Sequence, residues 1–455
     1  MIKRISELKI VDKPLSWYDW IVFFVLAICC PLFFMQTDIL YTGGSSFAIL
    51  NGHVLDFYDY KNQFIGGNNY FISIYTVFAI WNIPIKLLGL YPFPTTEVHF
   101  ITAMWFKLLP CIVYLISAFV IYKICKLIGM GNLKSKLCAY TFLTTPIAFF
   151  SQFIITQYAV FCLVFMLLGI YFYIKNDLWK FVLFFGIAIT FKFFALFFFL
   201  PLLFLKEKSY KKLVVFCVGL LLPLVLMYLP FLNSETFDSV ILRVGFNPAN
   251  YMGALGFNIY FHVNLSVFVL LFVVCSAWAF FTNPKDKDDE VKWMFFFTAV
   301  TVFLCFGLSM WSPQWILLSV PFLVISTFIN KKPDVFLILD ILLMFFFVTF
   351  VIYLWQLQID ETLLETGILR NMTNATPWPL SMRDIIPIKD TSLMYSAFSV
   401  ILLINAVFKH PKFCTEKLNE EIEPVWNLIR IRFIAGVSIF IIPAVICLVA
   451  MLFIQ

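Results

Sequence analysis

The stretch LVVFCVGLLLPLVLMYL, residues 213–229, decides the fold class of this chain. It is apolar on every helical face and contains no charged residue. A bilayer core is crossed by about 20 helical residues, and a spanning segment must satisfy its own backbone hydrogen bonds. The stretch therefore predicts a membrane helix, and it lacks the alternating pattern of a membrane β-barrel strand.

The composition of the whole chain extends this prediction to a polytopic membrane protein. Of its 455 residues, 62% are apolar and only 13% are charged, and the mean hydropathy is +0.94. No soluble fold of this size could bury so much apolar surface. The eleven cysteines lack paired spacing and lie mostly in apolar runs, so they are interpreted as packing residues.

The net charge of +6 comes from basic residues that stand in small groups at the ends of apolar runs. Topology explains these groups better than nucleic acid does, because Lys and Arg favour the cytoplasmic loops of membrane proteins. The first apolar run has no clear small-residue cleavage site, so we expect a retained first helix. The expected partner is a lipid bilayer, and no nucleic-acid partner is expected.

The apolar run 71–90 is predicted not to cross the bilayer, although its length would allow it. If it crossed, the basic N-terminus would place the basic cluster 123–136 outside, against the positive-inside tendency. A membrane-surface or re-entrant segment, interrupted by Asn82 and Pro84, removes this conflict. The first outer loop then covers about residues 36–100 and carries amphipathic or re-entrant helices.

The run 180–205 is predicted to form two short helices that meet near Lys192. Basic residues flank both ends of the run, and a helical hairpin keeps both groups on the cytoplasmic side, whereas one crossing does not. Each leg of about a dozen residues reaches only about 18 Å at 1.5 Å per residue. The turn would therefore lie below the outer membrane surface, shielded by protein.

With these two choices the predicted fold is an all-α transmembrane bundle of about thirteen spans. It divides into a module of residues 1–330 and a C-terminal transmembrane region of residues 331–455, whose outer loop covers 356–391. The predicted spans lie near residues 17–35, 101–125, 137–150, 159–175, 179–191, 193–206, 212–232, 264–282, 291–310, 314–330, 334–355, 392–408 and 431–454.

Ionisable residues are concentrated in the first outer loop. Asp38 directly follows the first helix, and His53, Asp56 and Asp59 follow an amphipathic stretch. A carboxylate at the mouth of a bundle can act as a general base for a transferred group. The alternative is a solvated aspartate at a helix end, but four ionisable groups so near the membrane exceed what a linker needs.

Lys192 lies among phenylalanines in an apolar run, where an ammonium group costs at least a few kcal/mol without a partner. A lipid phosphate is a natural partner, since an ammonium binds phosphate as a point charge. The alternative is a structural pair with a buried aspartate. Lys107 is similar but lies nearer a helix end, where snorkelling to the interface is an equally good explanation.

The segment 311–315, Trp-Ser-Pro-Gln-Trp, predicts a tight outer turn between two spans. Gln314 can hydrogen-bond a polar ligand, and Trp315 could contact one, but anchoring by an aromatic belt is an equal alternative. Arg243 lies in another outer loop, where it could hold a phosphate or pair with a nearby acid of the same loop.

In their order, these pieces resemble the C-type (GT-C, multi-spanning) glycosyltransferases, especially the bacterial relatives of the mannosyltransferases that build glycolipid anchors. The resemblance covers roughly residues 17–330. Two departures are TQYA at 156–159, where the family often has Gly-Gln-x-Asp, and NYF at 69–71, where it usually has Pro-Pro-Leu. The matching motifs are Asp38, NGH at 51–53, DFYDY at 56–60, NNY at 68–70, FKLLP at 106–110, TFK at 190–192 with Ala195 and Pro201, and SPQW at 312–315 with Pro321.

The resemblance implies transfer of a sugar, with inversion, from a polyprenyl-phosphate donor to a glycan or glycolipid acceptor on the non-cytoplasmic face. The membrane would be the plasma membrane of a bacterium or the endoplasmic reticulum of a eukaryote. No metal cluster with ligand spacing is visible and no cofactor is expected, while a divalent metal stays open. The implied site residues are Asp38 as base, Asp56 and Asp59 as reserve acids, Lys192, Lys107 and Arg243 for the phosphate, and His53, Gln157, Gln314 and Trp315 for substrate.

Two other functions remain open from the sequence. A carrier that flips lipid-linked glycans or moves a small solute should place polar or broken helices near the bilayer midplane and often shows internal repeats. Here the ionisable residues collect on one face and no repeat is visible, which favours the transferase. A polysaccharide polymerase would share the same outer-face chemistry.

Overall fold

The computed structural model describes residues 13–64, 70–91, 93, 98–234, 236–237, 255–260, 263–354, 390–420 and 425–454. Within these ranges the protein consists of seventeen α-helices and one antiparallel β-hairpin, formed by β1 (Gly256–Tyr260) and β2 (Val263–Ser266). The predicted helical class is confirmed, with the hairpin as a small exception.

The helices differ widely in length, from one turn to eight turns. A π-helix, Phe150–Ile155, continues α7, and a 3₁₀-helix, Pro313–Ser319, precedes α14. The α-helices are α1 (Trp17–Phe33), α2 (Thr37–Leu50), α3 (Phe57–Phe64), α4 (Ile72–Leu87), α5 (Phe100–Leu127), α6 (Asn132–Leu143), α7 (Pro146–Phe149), α8 (Ala159–Ile174), α9 (Leu178–Ile189), α10 (Ala195–Lys206), α11 (Tyr210–Tyr228), α12 (Val267–Phe281), α13 (Lys287–Gly307), α14 (Val320–Ile329), α15 (Pro333–Leu354), α16 (Thr391–Phe408) and α17 (Trp426–Ile454).

Six of these helices are long and apolar enough to cross a membrane: α5, α11, α13, α15, α16 and α17. The number becomes eight if the bent pairs α1 with α2 and α6 with the 146–155 helix each count as one span. The remaining apolar helices have 10–17 residues. The described fold is therefore compatible with a multi-pass membrane protein, by length and composition.

The outward faces of the long helices are apolar. On α11, Val214, Val218, Leu222 and Leu226 are all exposed at the surface of the isolated chain. Water would oppose such exposure, whereas lipid tails are as apolar as these side chains. The surface chemistry thus fits a bilayer as the surrounding solvent.

The run 180–205 forms two short helices, α9 and α10, and this prediction is confirmed. The helical backbone breaks between Ile189 and Ala195, and Lys192 lies inside the break. The two helices pack antiparallel, because Phe181 near the start of α9 stacks on Phe199 of α10 with ring centroids 4.8 Å apart. Lys206, at the end of α10, donates to the carbonyl of Tyr173 just before α9, so both outer ends of the hairpin lie together.

The chain turns by 77° between α1 and α2 and then packs α2 against α4 and α5. Gly43 of α2 has no room for a side chain, because a Cβ there would collide with the ring of Phe106 in α5. Asn82 of α4 donates to the carbonyl of Gly43, at 3.3 Å, and to the hydroxyl of Ser46, at 3.0 Å. These contacts bury α2, which begins with the segment that carries Asp38.

The α4 helix contacts two different parts of the bundle. Near its start, Ser73 donates to the carbonyl of Thr190 at the α9–α10 break, at 2.5 Å. Near its end, Lys86 donates to the carbonyl of Leu50. The start of α4 therefore lies near the α9–α10 break, whereas its end lies at the end of α2 that is away from Asp38.

The C-terminal helices pack onto the rest of the chain. Arg432 of α17 donates to a carboxylate oxygen of Asp340 in α15, at 2.8 Å, and to the hydroxyl of Thr145, at 3.3 Å. Across the predicted boundary at residue 330, Asn330 forms an isolated β-bridge with Cys414. The regions 1–330 and 331–455 are thus in direct contact.

Candidate functional site

Four elements meet around Asp38: the bend between α1 and α2, the segment that follows the π-helix, the break between α9 and α10, and the 313–319 helix. Each is an irregular piece of backbone between apolar helices, and together they bring polar side chains into a buried space. In a membrane bundle such polar, non-helical backbone is tolerated where protein surrounds it.

Asp38 lies in the first turn of α2, and only 6% of its surface is exposed. Its carboxylate oxygen Oδ2 accepts a hydrogen bond from the hydroxyl of Tyr70, at 2.5 Å, and another from Nε2 of Gln157. The positive end of the α2 dipole also favours a negative charge in this turn. The predicted carboxylate is therefore held in place by two residues from separate parts of the chain, Tyr70 and Gln157.

Gln157 reaches Asp38 because the preceding backbone is irregular. The backbone N–H of Thr156 donates to the carbonyl of Ser151, at 3.2 Å, which is the five-residue spacing of a π-helix. Thr156 itself has a φ of 55°, in the left-handed region that β-branched residues rarely adopt. Such strain and such π-helices are found often at functional sites. The turn ends the π-helix and directs Gln157 into the site.

Lys192 is held by aromatic rings in the α9–α10 break. Its ammonium nitrogen lies 4.9 Å from the ring centroid of Tyr70, 4.5 Å from that of Tyr158 and 4.4 Å from that of Trp315. Aromatic faces attract cations, and more strongly when water is excluded. The three rings therefore explain how a lysine with 6% exposure is tolerated in this position.

Lys192 also donates one hydrogen bond, to the hydroxyl of Tyr158, at 2.8 Å. Tyr158 is the one hydrogen-bond acceptor for this ammonium group among the residues that the structure describes. An ammonium group carries three N–H donors, so the geometry leaves it further capacity to bind an anion.

Tyr70 contacts both the carboxylate of Asp38 and the ammonium group of Lys192. It donates to Asp38, and its ring stacks edge-on with that of Tyr158 at a centroid distance of 4.7 Å beside Lys192. Asp38 and Lys192 are close enough to interact electrostatically. The carboxylate and the ammonium group thus share one aromatic wall without a direct salt bridge in the described contacts.

Gln314 and Trp315, in the 313–319 helix, belong to the same cluster. Gln314 donates through Nε2 to Oε1 of Gln157, at 2.9 Å, while Trp315 faces Lys192. Four of the residues predicted from sequence therefore assemble around Asp38, namely Lys192, Gln157, Gln314 and Trp315.

Sequence reasoning missed three residues of this site. Tyr70 and Tyr158 appeared only as parts of longer motifs, and Lys61 was not considered. Lys61, on α3, is fully buried, and burial lowers its pKa to about 8 while the nearby charge of Asp38 acts in the opposite direction. A lysine in an amphipathic loop helix usually faces water, so its sequence context carried no signal.

The reserve acids and His53 lie apart from the described contacts of Asp38. His53 pairs through Nδ1 with the carboxylate of Asp56, at 2.9 Å, and stacks on the ring of Tyr60. Asp56 is more than half exposed. Asp59 accepts a hydrogen bond from the hydroxyl of Ser234, at 2.9 Å. These contacts favour structural roles for the three residues at the loop surface.

Lys107 lies within the bundle and has carbonyl partners. Its ammonium group donates to the carbonyls of Pro31, at 2.7 Å, and Phe34, at 2.5 Å, where α1 ends. Carbonyls at a helix end lack partners within the helix, so Lys107 caps α1. These contacts favour a structural role over phosphate binding. Arg243 lies outside the described residues.

No cluster of three or more metal-ligating His, Cys, Asp or Glu side chains occurs in the described ranges. Comparison of the chain with protein-family models, curated proteins and solved structures finds no match. The functional argument therefore depends on the geometry around Asp38 and Lys192.

Proposed function

We propose that the protein is a membrane glycosyltransferase that moves a sugar from a polyprenyl-phosphate donor to a hydroxyl group of a glycan or glycolipid acceptor. The observation that carries the proposal is the pairing of a buried carboxylate, Asp38, with a buried ammonium group, Lys192, across the wall formed by Tyr70 and Tyr158. Such a transfer needs one group that removes a proton and one that stabilises a departing phosphate.

In the proposed reaction the acceptor hydroxyl oxygen attacks the anomeric carbon of the donor sugar. The bond between that carbon and the phosphate oxygen breaks, and the electron pair leaves with the polyprenyl phosphate. Asp38 takes the hydroxyl proton as general base, while the ammonium group of Lys192 stabilises the charge on the leaving phosphate. Because a single displacement occurs from the opposite face, the anomeric centre is inverted.

The surroundings of Lys192 support its proposed role. Aromatic rings contact the ammonium group without forming an ion pair with it, so these contacts do not compete with an incoming anion. A carboxylate partner at salt-bridge distance would compete with phosphate. Such a partner is missing among the described ion pairs, and Tyr158 supplies a neutral hydroxyl instead.

The proposal includes the location of the site on the non-cytoplasmic face of about thirteen spans. One observation supports it. The basic cluster 123–136 begins at the end of α5 that is far from Lys107 and from the end of α1 that Lys107 contacts. The positive-inside tendency would place that cluster in the cytoplasm.

The deciding experiment incubates detergent-purified protein with a panel of radiolabelled polyprenyl-phosphate sugars and membrane glycolipid extract, and follows the label into the acceptor fraction. The parent protein should transfer label from at least one donor. Asp38→Asn should lose about 10²- to 10⁴-fold in turnover, the usual contribution of a general base. Asp56→Asn and Asp59→Asn serve as matched controls in the same loop.

Three outcomes would change the interpretation. Near-normal turnover by Asp38→Asn together with an inactive Asp59→Asn would identify Asp59 as the general base, and the proposed enzyme activity would stand. Uptake of label into longer polymer would indicate a polymerase. Movement of a lipid-linked glycan across vesicle membranes without any sugar transfer would favour the carrier and reject the proposal.

A further inference from the structure

The side-chain amide of Gln157 uses all of its main hydrogen-bonding positions inside the site. Nε2 donates to Oε1 of Gln36, at 2.7 Å, and to Oδ2 of Asp38, while Oε1 accepts from Nε2 of Gln314, at 2.9 Å. An NH₂ group has two hydrogens and both are committed here. The orientation of this amide is therefore fixed by partners on both of its sides.

Gln314 supports that orientation from one side. Its Nε2 donates to Oε1 of Gln157, while Nε2 of Gln157 donates to Asp38. Without Gln314, the buried Oε1 of Gln157 loses its donor, which is costly for a buried acceptor. The amide is then held only through its Nε2 and can shift its position against the carboxylate.

We infer that Gln314 is a positioning residue that acts on the Asp38 carboxylate through Gln157, and that the two glutamines form an amide relay. This inference rests on the proposed function, in which Asp38 is the base. Gln157 and Gln314 are exposed by only 2% and 7%, so water does not substitute readily for either partner. In a buried network each hydrogen bond also depends on its neighbours.

The relay has a second consequence because Gln314 adjoins Trp315, which lies 4.4 Å from the ammonium group of Lys192. The short 313–319 helix therefore carries one residue that contacts the proposed phosphate ligand and one that orients the proposed base. Movement of this helix would alter both groups together.

The test is a double-substitution cycle between Gln314→Met and Asp38→Asn, with sugar transfer and donor binding measured separately. Methionine keeps the length of glutamine but removes its donor. Gln314→Met should lower kcat by about 10- to 100-fold, the cost of a misplaced reacting group, and leave the donor Kd within about 2-fold. In the Asp38→Asn background the same substitution should cause no further loss, because its effect passes through Asp38.

Ser319→Ala is the matched control. Ser319 lies on the same 3₁₀-helix and is fully buried, but its hydroxyl donates to the carbonyl of Ile316. This variant should keep kcat within about 2-fold of the parent, given that a single neutral hydrogen bond is lost.

Two results would overturn the relay. One is an equal loss of kcat on both backgrounds, which would mean that Gln314 does not act through Asp38. The other is a weakened donor Kd with unchanged kcat, which would place the effect of Gln314 at Lys192 instead.

Thermal unfolding is also measured for the parent, Gln314→Met, Asp38→Asn and the double variant. This measurement tests the relay independently of the proposed function. Side chains joined in one network should show non-additive changes in Tm, whereas independent ones add. Non-additive unfolding in a parent protein that transfers no sugar would reject the enzyme and retain the network. Additive unfolding would overturn the relay whatever the activity.

Discussion

Asp38 illustrates how a carboxylate is kept in an apolar bundle. Burying a charge is costly unless hydrogen bonds and opposite charge compensate it. Here the carboxylate lies in the first turn of α2 and accepts hydrogen bonds from the hydroxyl of Tyr70 and the amide of Gln157, and Lys192 lies close enough to interact with it electrostatically. A solvated aspartate at a helix end, the alternative interpretation from sequence, would need none of these partners.

Lys192 should mainly serve donor binding. We expect Lys192→Ala to weaken the donor Kd by about 10- to 100-fold, since charge-assisted hydrogen bonds to phosphate are lost. Lys192→Arg should recover little, because a wide planar fork replaces a compact ammonium among three rings. The measurement is equilibrium binding of labelled polyprenyl phosphate by the purified protein.

Lys211→Ala is the control for Lys192, since Lys211 is an exposed lysine in the first turn of α11. Donor affinity should not change in this variant. Unchanged affinity in Lys192→Ala as well would return Lys192 to a purely structural role.

Lys61 should make stability depend on pH. Burial lowers its pKa in the folded protein to about 8, whereas an unfolded lysine titrates near 10.5. Between these values the unfolded chain holds more protons, so the stability contributed at Lys61 rises as the pH increases from about 8 to about 10.5. The Tm of the parent minus the Tm of Lys61→Met should therefore increase across this range. A constant Tm difference from pH 7 to pH 10.5 would contradict the burial argument.

At the scale of elements, the sequence predicted the break near Lys192 because basic residues flank both ends of the run 180–205 and a hairpin keeps both groups on the cytoplasmic side. The π-helix and the left-handed Thr156 were not predictable, since FSQFIIT has an ordinary helical pattern. Such a conformation is imposed by tertiary contacts, here the bonds of Gln157 to Asp38 and Gln314. The site as a whole follows the same rule: Asp38 and Lys192 were visible in the sequence, whereas Lys61, Tyr70 and Tyr158 were not.

The prediction that α4 does not cross the bilayer can be tested by cysteine labelling. In a cysteine-free background, a cysteine at Leu87, the last residue of α4, should react with an impermeant maleimide from the outer side of the membrane, and one at Leu133, in the first turn of α6, from the cytoplasmic side. Both side chains are exposed, with 81% and 61% of their surfaces accessible. The unsubstituted background supplies the control for nonspecific labelling.

Labelling of Leu87 from the cytoplasmic side and of Leu133 from the outer side would mean that α4 crosses, because α5 separates the two positions in either topology. The first outer loop would then be split, and the proposed location of Asp38 on the non-cytoplasmic face would lose its main support.

At the scale of the molecule, composition alone predicted a helical membrane protein, but it could not fix how many helices cross. Hydropathy does not distinguish a short span from a buried helix, because both are apolar all round. Several helices of 10–17 residues, such as α8 and α14, are apolar and largely buried. Their surroundings are set by neighbouring helices, which are distant in sequence.

The packing of the C-terminal helix α17 onto the rest of the bundle should depend on Arg432. This guanidinium is fully buried, pairs with Asp340 at 2.8 Å and also donates to the carbonyl of Thr141, at 2.8 Å. Removing one member of a buried pair leaves the other charge uncompensated, at a cost of about 3–5 kcal/mol. Arg432→Met should therefore lower the Tm of the detergent-purified protein strongly. Adding Asp340→Asn should restore much of the loss, because the stranded charge disappears as well. An equally low Tm in the double variant would show that the bonds of Arg432 to residues 141–145, and not the ion pair, hold α17 in place.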